Sequence, residues 1–325
     1  MRVRCRRNAA FRRSARLRPL HPVRRTSPFY FSIFQFCLHL GGVELSAAEI
    51  RCAIQAALAE DIGSGDATTL ATVPETATAR AVMRAREPLV VAGLDFAKAA
   101  FHELSAAVKF ERLAKDGRRV NGGEILLKIS GPARALLSAE RVALNFVQRL
   151  SGIATLTAQF VDAIKDTTAQ ILDTRKTTPG WRRFEKYAVA CGGGKNHRLG
   201  LFDLILIKDN HLAALQNEQP NAVAAAVKLA RKNYPKLKVE VEADTLEQVT
   251  QAADAGADII LLDNMNPVQL RLAVQKIKGR AKTEASGGVN LAGVQTIAKT
   301  GVDFISIGAL THSARAVDIG LDFES

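Results

Sequence analysis

The stretch KVEVEADTLEQVTQAADAGADIILLDN, Lys238 to Asn264, decides the fold. It opens with a short alternation of valine and glutamate, passes into a helical pattern over LEQVTQAADAG, and returns to a wholly apolar run. Strand, helix and strand in such close succession form a βαβ unit, which makes the two strands parallel. The same grammar continues on both sides. QILDTRK (170–176), LILIKDN (204–210), KVEVEAD (238–244), DIILLDN (258–264), KTEASGG (282–288) and FISIGAL (304–310) read as strands. NAVAAAVKLARKN, LEQVTQAADAG, NPVQLRLAVQKI and NLAGVQTIAKTG read as helices between the later ones. This predicts a parallel α/β sheet, either closed into a barrel or open. Both forms place ligands beyond the C-terminal ends of the strands.

Upstream the pattern differs. LSAAEIRCAIQAALAED is an amphipathic helix, with Ser46 as N-cap and Glu49 completing a capping box. The loop EDIGSGDATT follows, read as turn chemistry or as lying near a site. ATARAVMRAREPLVVAG, VKFERLAKDGRRV and EILLKISGPARALL show strand-like alternation, with the helix LDFAKAAFHEL between the first two. SAERVALNFVQRLSGIATLTAQFVDAIK is a long helical tract with Ser138 at its head, and Gly152 is expected to break or kink it. The expected organisation is a basic extension (1–43), an N-terminal α/β domain (44–152) and a C-terminal domain built on the parallel sheet (153–325).

A hydrophobic content of 47% and a charged content of 24% belong to a globular protein with a sizeable core. The net charge of +13 suggests nucleic acid until it is located. Residues 1–43 hold ten arginines and no acid, and the rest of the chain carries 35 basic against 32 acidic residues. The four cysteines, at 5, 37, 52 and 191, lack metal-ligand spacing and imply a reducing compartment. No 18-residue apolar run is present, so no membrane span is expected. The Arg-rich lead and FYFSIFQFCLHL (29–40) look like an organelle transit peptide or a crude signal. The competing reading is that translation begins at Val43 and that a chain from Val43 folds and works alone. With that reading the expected location is the cytoplasm.

The strand ends divide by charge. The first two, with the intervening KNHR, supply Arg175, Lys176, Lys195, His197, Arg198 and Lys208, a set suited to a polyanion. The middle two supply Glu240 or Glu242, which share a strand face, and Asp263. Carboxylates facing cations suggest Mg²⁺, sugar hydroxyls or a developing positive charge. The last two supply Ser286-Gly287-Gly288 and Gly308-Ala309, small residues that let backbone N–H groups reach a phosphate. Pattern alone therefore reads as an enzyme for a phosphorylated sugar and a polyanionic co-substrate.

DTRKTTPG, EKYAVACGGGKNHR, IKDNH, EVEAD, LLDN, EASGGV and GVDFISIGALTHS together resemble the quinolinate phosphoribosyltransferase family, also called nicotinate-nucleotide pyrophosphorylase (carboxylating). The resemblance runs from AALAEDIGSGDATT to the C-terminus. Trp181 departs from it, standing where leucine is expected, and should affect packing more than chemistry. The resemblance implies an α/β sandwich followed by an open (β/α) barrel of the phosphoribosyltransferase type. It implies a pentosyltransferase of NAD biosynthesis, in which quinolinate and phosphoribosyl pyrophosphate give nicotinate mononucleotide, pyrophosphate and CO₂ with Mg²⁺. Residue by residue, it assigns Thr174, Arg175, Lys176, His197, Arg198 and Lys208 to quinolinate and pyrophosphate. It assigns Glu242 and Asp263 to the ribose and metal, and Ser286, Gly287, Gly288, Ile307, Gly308 and Ala309 to the 5′-phosphate. Lys176, Lys208, Glu242 and Asp263 carry the expected catalytic roles. Arg141, in AERVALN, matches an arginine that reaches into a partner subunit's site, so a homodimer or larger homo-oligomer is implied.

Each feature also has a plainer explanation. Arg175-Lys176 can be a solvated strand end, and His197 a structural histidine bonded to backbone. GGGKN lacks the upstream glycine and following Ser/Thr of a phosphate-binding P-loop, and its glycines can serve a tight turn. His211 can serve the site or cap the next helix. The competing functions are a paralogous transferase with another acceptor, a phosphosugar isomerase or aldolase, and nucleic-acid binding through residues 2–25. An isomerase needs the phosphate site but not five or six cations opposite it, and a paralogue would have lost a cation from the dicarboxylate set. No nucleic-acid or membrane partner is expected for the central function.

Overall fold

The computed structural model describes residues 43–324, so the expectations for the basic extension lie outside the described residues except at Val43. Val43 was grouped with the extension, but it is buried and its N–H donates to Asn196 Oδ1 (3.1 Å).

Helix α1 (Ala47–Ile62) begins as its sequence dictates. The Glu49 N–H donates to Ser46 Oγ (3.2 Å), and the Ser46 N–H donates to the Glu49 carboxylate (3.0 Å). Asp66 caps α2 (Ala67–Thr72). There follow β1 (Thr78–Ala85), β2 (Leu89–Val90), α3 (Leu94–Leu104), β3 (Lys109–Arg112), β4 (Arg119–Val120) and β5 (Ile125–Pro132).

The long helix α4 (Ala133–Ala163) starts earlier than expected. Residues 133–137, read as the tail of a strand region, form its first turn. Pro132 has no N–H to extend a ladder, and its φ of −57° suits a helix entrance. Ser138 therefore lies inside the helix, where its hydroxyl donates to Asp66 Oδ2 (2.8 Å). Gly152 does not break α4, which runs through it. Its reason is close approach: a Cβ there would lie 1.9 Å from the carbonyl oxygen of Arg315.

The parallel sheet contains all six expected strands. They are β6 (Gln170–Leu172), β7 (Ile205–Ile207), β8 (Val239–Ala243), β9 (Ile259–Asp263), β10 (Lys282–Ser286) and β11 (Phe304–Ser306). The helices are α5 (Arg182–Cys191), α6 (Asp209–Ala213), α7 (Ala222–Asn233), α8 (Leu246–Asp254), α9 (Pro267–Ile277), α10 (Leu291–Ala298) and α11 (Ala309–His312). The strand order is β6-β11-β10-β9-β8-β7, every pair parallel. Two sequence neighbours, β6 and β7, thus stand at opposite edges. Lys195 bridges to Leu172 on β6, so the connection between these strands lies along the seam. Asp263, at the end of the central strand β9, feels both Lys176 beyond β6 and Lys208 beyond β7. This order, with the sequence neighbours β6 and β7 at the two edges, is that of an open barrel.

Trp181, just before α5, stacks on Phe146 of α4 with ring centroids 4.7 Å apart and an interplanar angle of 6°. Phe146 stacks in turn on Phe96 of α3 (4.9 Å). Trp181 thus fastens the barrel's first helix to the N-terminal core.

The C-terminal strand β12 (Ile319–Glu324) corrects the expected organisation. It was assigned to the barrel with everything from residue 153. It instead pairs antiparallel with β1, in a four-stranded sheet of order β12-β1-β5-β3. Arg84 and Arg86, placed beside it on and after β1, both bond to Asp322. Among the described residues no helix is long and apolar enough to cross a membrane.

The crossing at Gly152 yields a prediction. Alanine is the better helix former by about 1 kcal/mol, yet Gly152→Ala should destabilise by about 2 kcal/mol or more, because backbone must move. Urea denaturation measures this, and a neutral or stabilising effect would contradict the close approach.

Candidate active site

Two basic segments frame the mouth of the barrel, residues 173–178 after β6 and residues 195–198 before β7. A buried ion pair joins them. Asp173 and Lys186 are both fully buried, and Lys186 Nζ bonds to Asp173 Oδ1 and to the His197 carbonyl (2.9 Å). Asp173 also accepts from the His197 N–H (2.8 Å) and from Asn196 Nδ2 (2.7 Å). Burial works against both charges, pushing the Asp173 carboxyl up and the Lys186 ammonium down, while their attraction and these hydrogen bonds oppose it. Sequence reading quoted Asp173 without giving it a role and passed over Lys186. A charged pair, Glu185-Lys186, on the short helix before GGGKNHR was the available signal.

The cations fall in two groups, Arg175 with Arg198, and Lys176 with Lys208 around Asp263. Arg198 is held below its usual range by burial and by the neighbouring Arg175. Arg198 also donates to the Leu204 carbonyl (3.1 Å). The Nε of Arg175 is buried and has no acceptor. A buried guanidinium donor without an acceptor, beside a second guanidinium, is a strong demand for an anion. Lys208 Nζ lies 2.5 Å from Glu242 Oε2. Asp263 is raised by burial and by Asp244, with Lys208 and Lys176 drawing it down, so the middle strands' carboxylates do face the lysines.

The structure also separates Glu240 from Glu242, which strand periodicity could not. Glu242 lies at the mouth with Lys208, whereas Glu240 is fully buried beneath it. There His197 Nε2 approaches Glu240 Oε2 (3.1 Å) and Glu284 Oε2 (3.6 Å). These three residues form a cluster whose ligand atoms all lie within 4.8 Å. The Arg198 N–H donates to His197 Nδ1 (2.7 Å). Nδ1 is thus engaged by backbone and Nε2 faces buried carboxylates, so His197 sits in the floor of the site. Burial opposes charge on His197, and Glu284 and Glu240 outweigh it, raising its pKa to about 9. The Arg198 N–H at Nδ1 orients the ring so that Nε2 points at the two carboxylates. Burial and then Glu240 push Glu284 well above the usual carboxylate range, while His197 draws it down.

The small residues serve close approach. Gly287 has φ +101°, and a Cβ on it would fall 2.1 Å from Asn264 Oδ1. The Asn264 N–H donates to the Ser286 carbonyl (2.9 Å), so the ends of β9 and β10 interlock at the SGG turn. A Cβ on Gly308 would meet Lys176 Cδ at 3.0 Å. The Ile307 N–H donates to the Leu172 carbonyl (3.0 Å), bringing the expected phosphate end of β11 against the basic end of β6. His211 proves to be a cap, its Nδ1 accepting the Lys208 N–H (2.9 Å). Arg141 is exposed on α4 and is not among the groups gathered at this mouth.

Comparisons with known proteins agree in kind. The family described as quinolinate phosphoribosyl transferase, N-terminal domain, matches residues 66–151, and its C-terminal domain matches residues 153–322. The nicotinate-nucleotide pyrophosphorylase [carboxylating] of Mycobacterium leprae is 46% identical over 289 residues, covering 87% of this chain and 99% of that protein. The chloroplastic protein of the same name from Arabidopsis thaliana is 43% identical over 293 residues, covering 85% of this chain and 83% of its own. The solved nicotinate-nucleotide pyrophosphorylase of Francisella tularensis superposes with a TM-score of 0.82 at 38% identity, covering 88% of this chain and all of that one.

The floor cluster predicts a pH effect. A carboxyl whose folded pKa lies above its unfolded value binds its proton more tightly when folded, so its stabilisation is present at low pH and is lost as pH rises towards the folded pKa. For one retained proton the loss is about 1 kcal/mol per pH unit. Thermal melts from pH 5 to 8 should show Glu284→Gln gaining on the parent as pH rises. Parallel curves would contradict a raised Glu284 pKa in the folded protein.

Proposed function

Because both family domains match in order and a relative 46% identical is covered over 99% of its length, the chain belongs to the quinolinate phosphoribosyltransferase family, and we propose how its site performs that reaction. The chain transfers phosphoribosyl from phosphoribosyl pyrophosphate to quinolinate, with release of pyrophosphate and CO₂, giving nicotinate mononucleotide for NAD biosynthesis. The observation that carries the acceptor assignment is the buried Arg175 Nε without an acceptor, beside Arg198. Quinolinate brings two adjacent carboxylates to such a site. Arg175, Arg198 and Lys208 bind them, with Thr174 shaping the loop by accepting the Lys176 N–H at Oγ1 (3.0 Å). The sugar donor lies across the mouth, its 5′-phosphate at Ser286–Gly288 and Ile307–Ala309 and its pyrophosphate towards Lys176.

As the bond from C1 of the ribose to pyrophosphate breaks, C1 gains oxocarbenium character, which Glu242 and Asp263 stabilise from the carboxylate side of the mouth. The pyridine nitrogen attacks C1 and becomes cationic. The bond from ring C2 to its carboxylate then breaks, CO₂ leaves, the electron pair rests on C2 beside the cationic nitrogen, and a proton replaces the lost group. The protein's contribution is positioning and charge. Glu242 and Asp263 are oxygen donors that fit Mg²⁺, which commonly takes one or two carboxylates together with substrate phosphates. When bound there it neutralises charge on the departing pyrophosphate. The active form is a homodimer or larger homo-oligomer in which exposed Arg141 completes the neighbour's site. A cytoplasmic location accompanies this reading, with neither nucleic acid nor membrane as partner.

Release of labelled CO₂ from quinolinate in the presence of phosphoribosyl pyrophosphate tests the assignment. Nicotinate leaves one cation unpaired, at a cost of about 1–3 kcal/mol or more, and sites built for a polar partner reject analogues lacking it by up to about 10⁴–10⁵. Nicotinate should therefore be at least about a hundredfold poorer in kcat/KM, and phthalate should inhibit. Arg175→Ala should weaken quinolinate and phthalate together. In the same assay, mixed Arg141→Ala and Arg175→Ala subunits should regain part of the activity. Comparable use of nicotinate and quinolinate would show that the cations serve another anion.

A further inference from the structure

The segment that carries Arg175 and Lys176 is a loop, and its internal bonds are few. The Lys176 N–H reaches Thr174 Oγ1 (3.0 Å), and the Thr177 N–H reaches the Arg175 carbonyl (3.0 Å). What holds it comes from outside. Glu185, fully buried on α5, accepts from the Thr178 N–H (3.0 Å) and from Thr178 Oγ1 (2.9 Å). Thr311, fully buried on α11, donates its hydroxyl to the Lys176 carbonyl (2.7 Å). These two anchors converge on one side chain. Arg149 of α4 donates from Nη2 to Glu185 Oε1 (3.1 Å) and to the Thr311 carbonyl (2.6 Å), and from Nη1 to the Ala314 carbonyl (2.5 Å).

We infer that Arg149 is a positioning residue for the transferase reaction proposed above, setting the Arg175-Lys176 loop against the Gly308-Ala309 turn. The reasoning is geometric. A planar guanidinium holds several acceptors in one fixed arrangement, which a lysine ammonium does not. Here those acceptors belong to α5, which grips the loop's far end, and to α11 and the residue Ala314 just after it, which follow the small-residue turn. Lys176 already packs on Gly308, so a shift of either anchor changes the distance between the acceptor's cations and the sugar-phosphate end. Binding by long, flexible cations tolerates such a shift, whereas alignment of the pyridine nitrogen with C1 does not. A misplacement of about 1 Å can cost about 10²-fold in rate.

The test uses the full chain with Arg149→Lys, Arg149→Ala and Thr311→Val. Arg149→Lys should lower kcat at least tenfold while the KM values for quinolinate and phosphoribosyl pyrophosphate each rise less than about fivefold. Guanidinium added to Arg149→Ala should restore kcat several-fold and saturably. Thr311→Val, nearly isosteric, should lower kcat in the same manner but less, and it decides the matter if the arginine variants do not fold. Amide hydrogen exchange over residues 174–180 supplies a readout that needs no activity, and it should quicken at least tenfold in Arg149→Ala. Unchanged exchange, or kcat within twofold of the parent in the folded variants, would overturn the inference. A parent that releases no CO₂ from quinolinate would sink the transferase reading instead, and the exchange result would still decide whether Arg149 positions the loop.

Discussion

The site depends on one buried ion pair, Asp173 with Lys186. Two charges without solvent are costly unless each is fully bonded. Asp173 meets that condition through Lys186, Asn196 and the His197 N–H, and Lys186 through Asp173 and the His197 carbonyl. The pair therefore ties the end of β6, the helix α5 and the 195–198 segment into one unit at the open seam of the barrel. Adjacent residues on α5 divide the work: Lys186 fixes the segment of Arg198, and Glu185 fixes the segment of Arg175. A seam that could have been a weak edge becomes the place where the cations are assembled.

Charge is arranged there in layers. At the mouth, Lys208 is matched by Glu242, and Lys176 lies near Asp263. Arg175 and Arg198 repel one another, and a buried nitrogen of Arg175 lacks an acceptor. Beneath them, Glu240 and Glu284 hold His197 and bring negative charge under the guanidinium groups. This keeps a cation-rich pocket tolerable in the empty protein while leaving a dianion a better partner than solvent. It also explains why an isomerase or aldolase accounts poorly for the site, since a lone phosphate makes no use of the arginine pair.

Much of this was legible in the sequence because it is local or periodic. The six parallel strands follow from short apolar runs separated by helices, and their polar ends from topology. The capping box of Ser46 and Glu49 lies within four residues. What was not legible depends on distant contacts. Gly152 reads as a helix breaker until Arg315 is seen crossing it, and β12 reads as the barrel's tail until Asp322 is found beside Arg84. Glu240 and Glu242 share a strand face, and only depth in the barrel separates a floor residue from a mouth residue. Glu185 and Lys186 look like an ordinary charged helix pair, because nothing near them in sequence says that both are buried.

A double-substitution cycle on the buried pair tests the account most directly, through melting temperature and through kcat/KM for quinolinate. Lys186→Met or Asp173→Leu alone leaves a buried charge unpaired and should cost about 3–5 kcal/mol of stability. Together they remove both charges, so much of the lost stability should return. Activity should not, because Asn196 and the His197 backbone lose their shared acceptor and the two basic segments part. A double variant with near-parental kcat/KM would contradict the claim that this pair assembles the site.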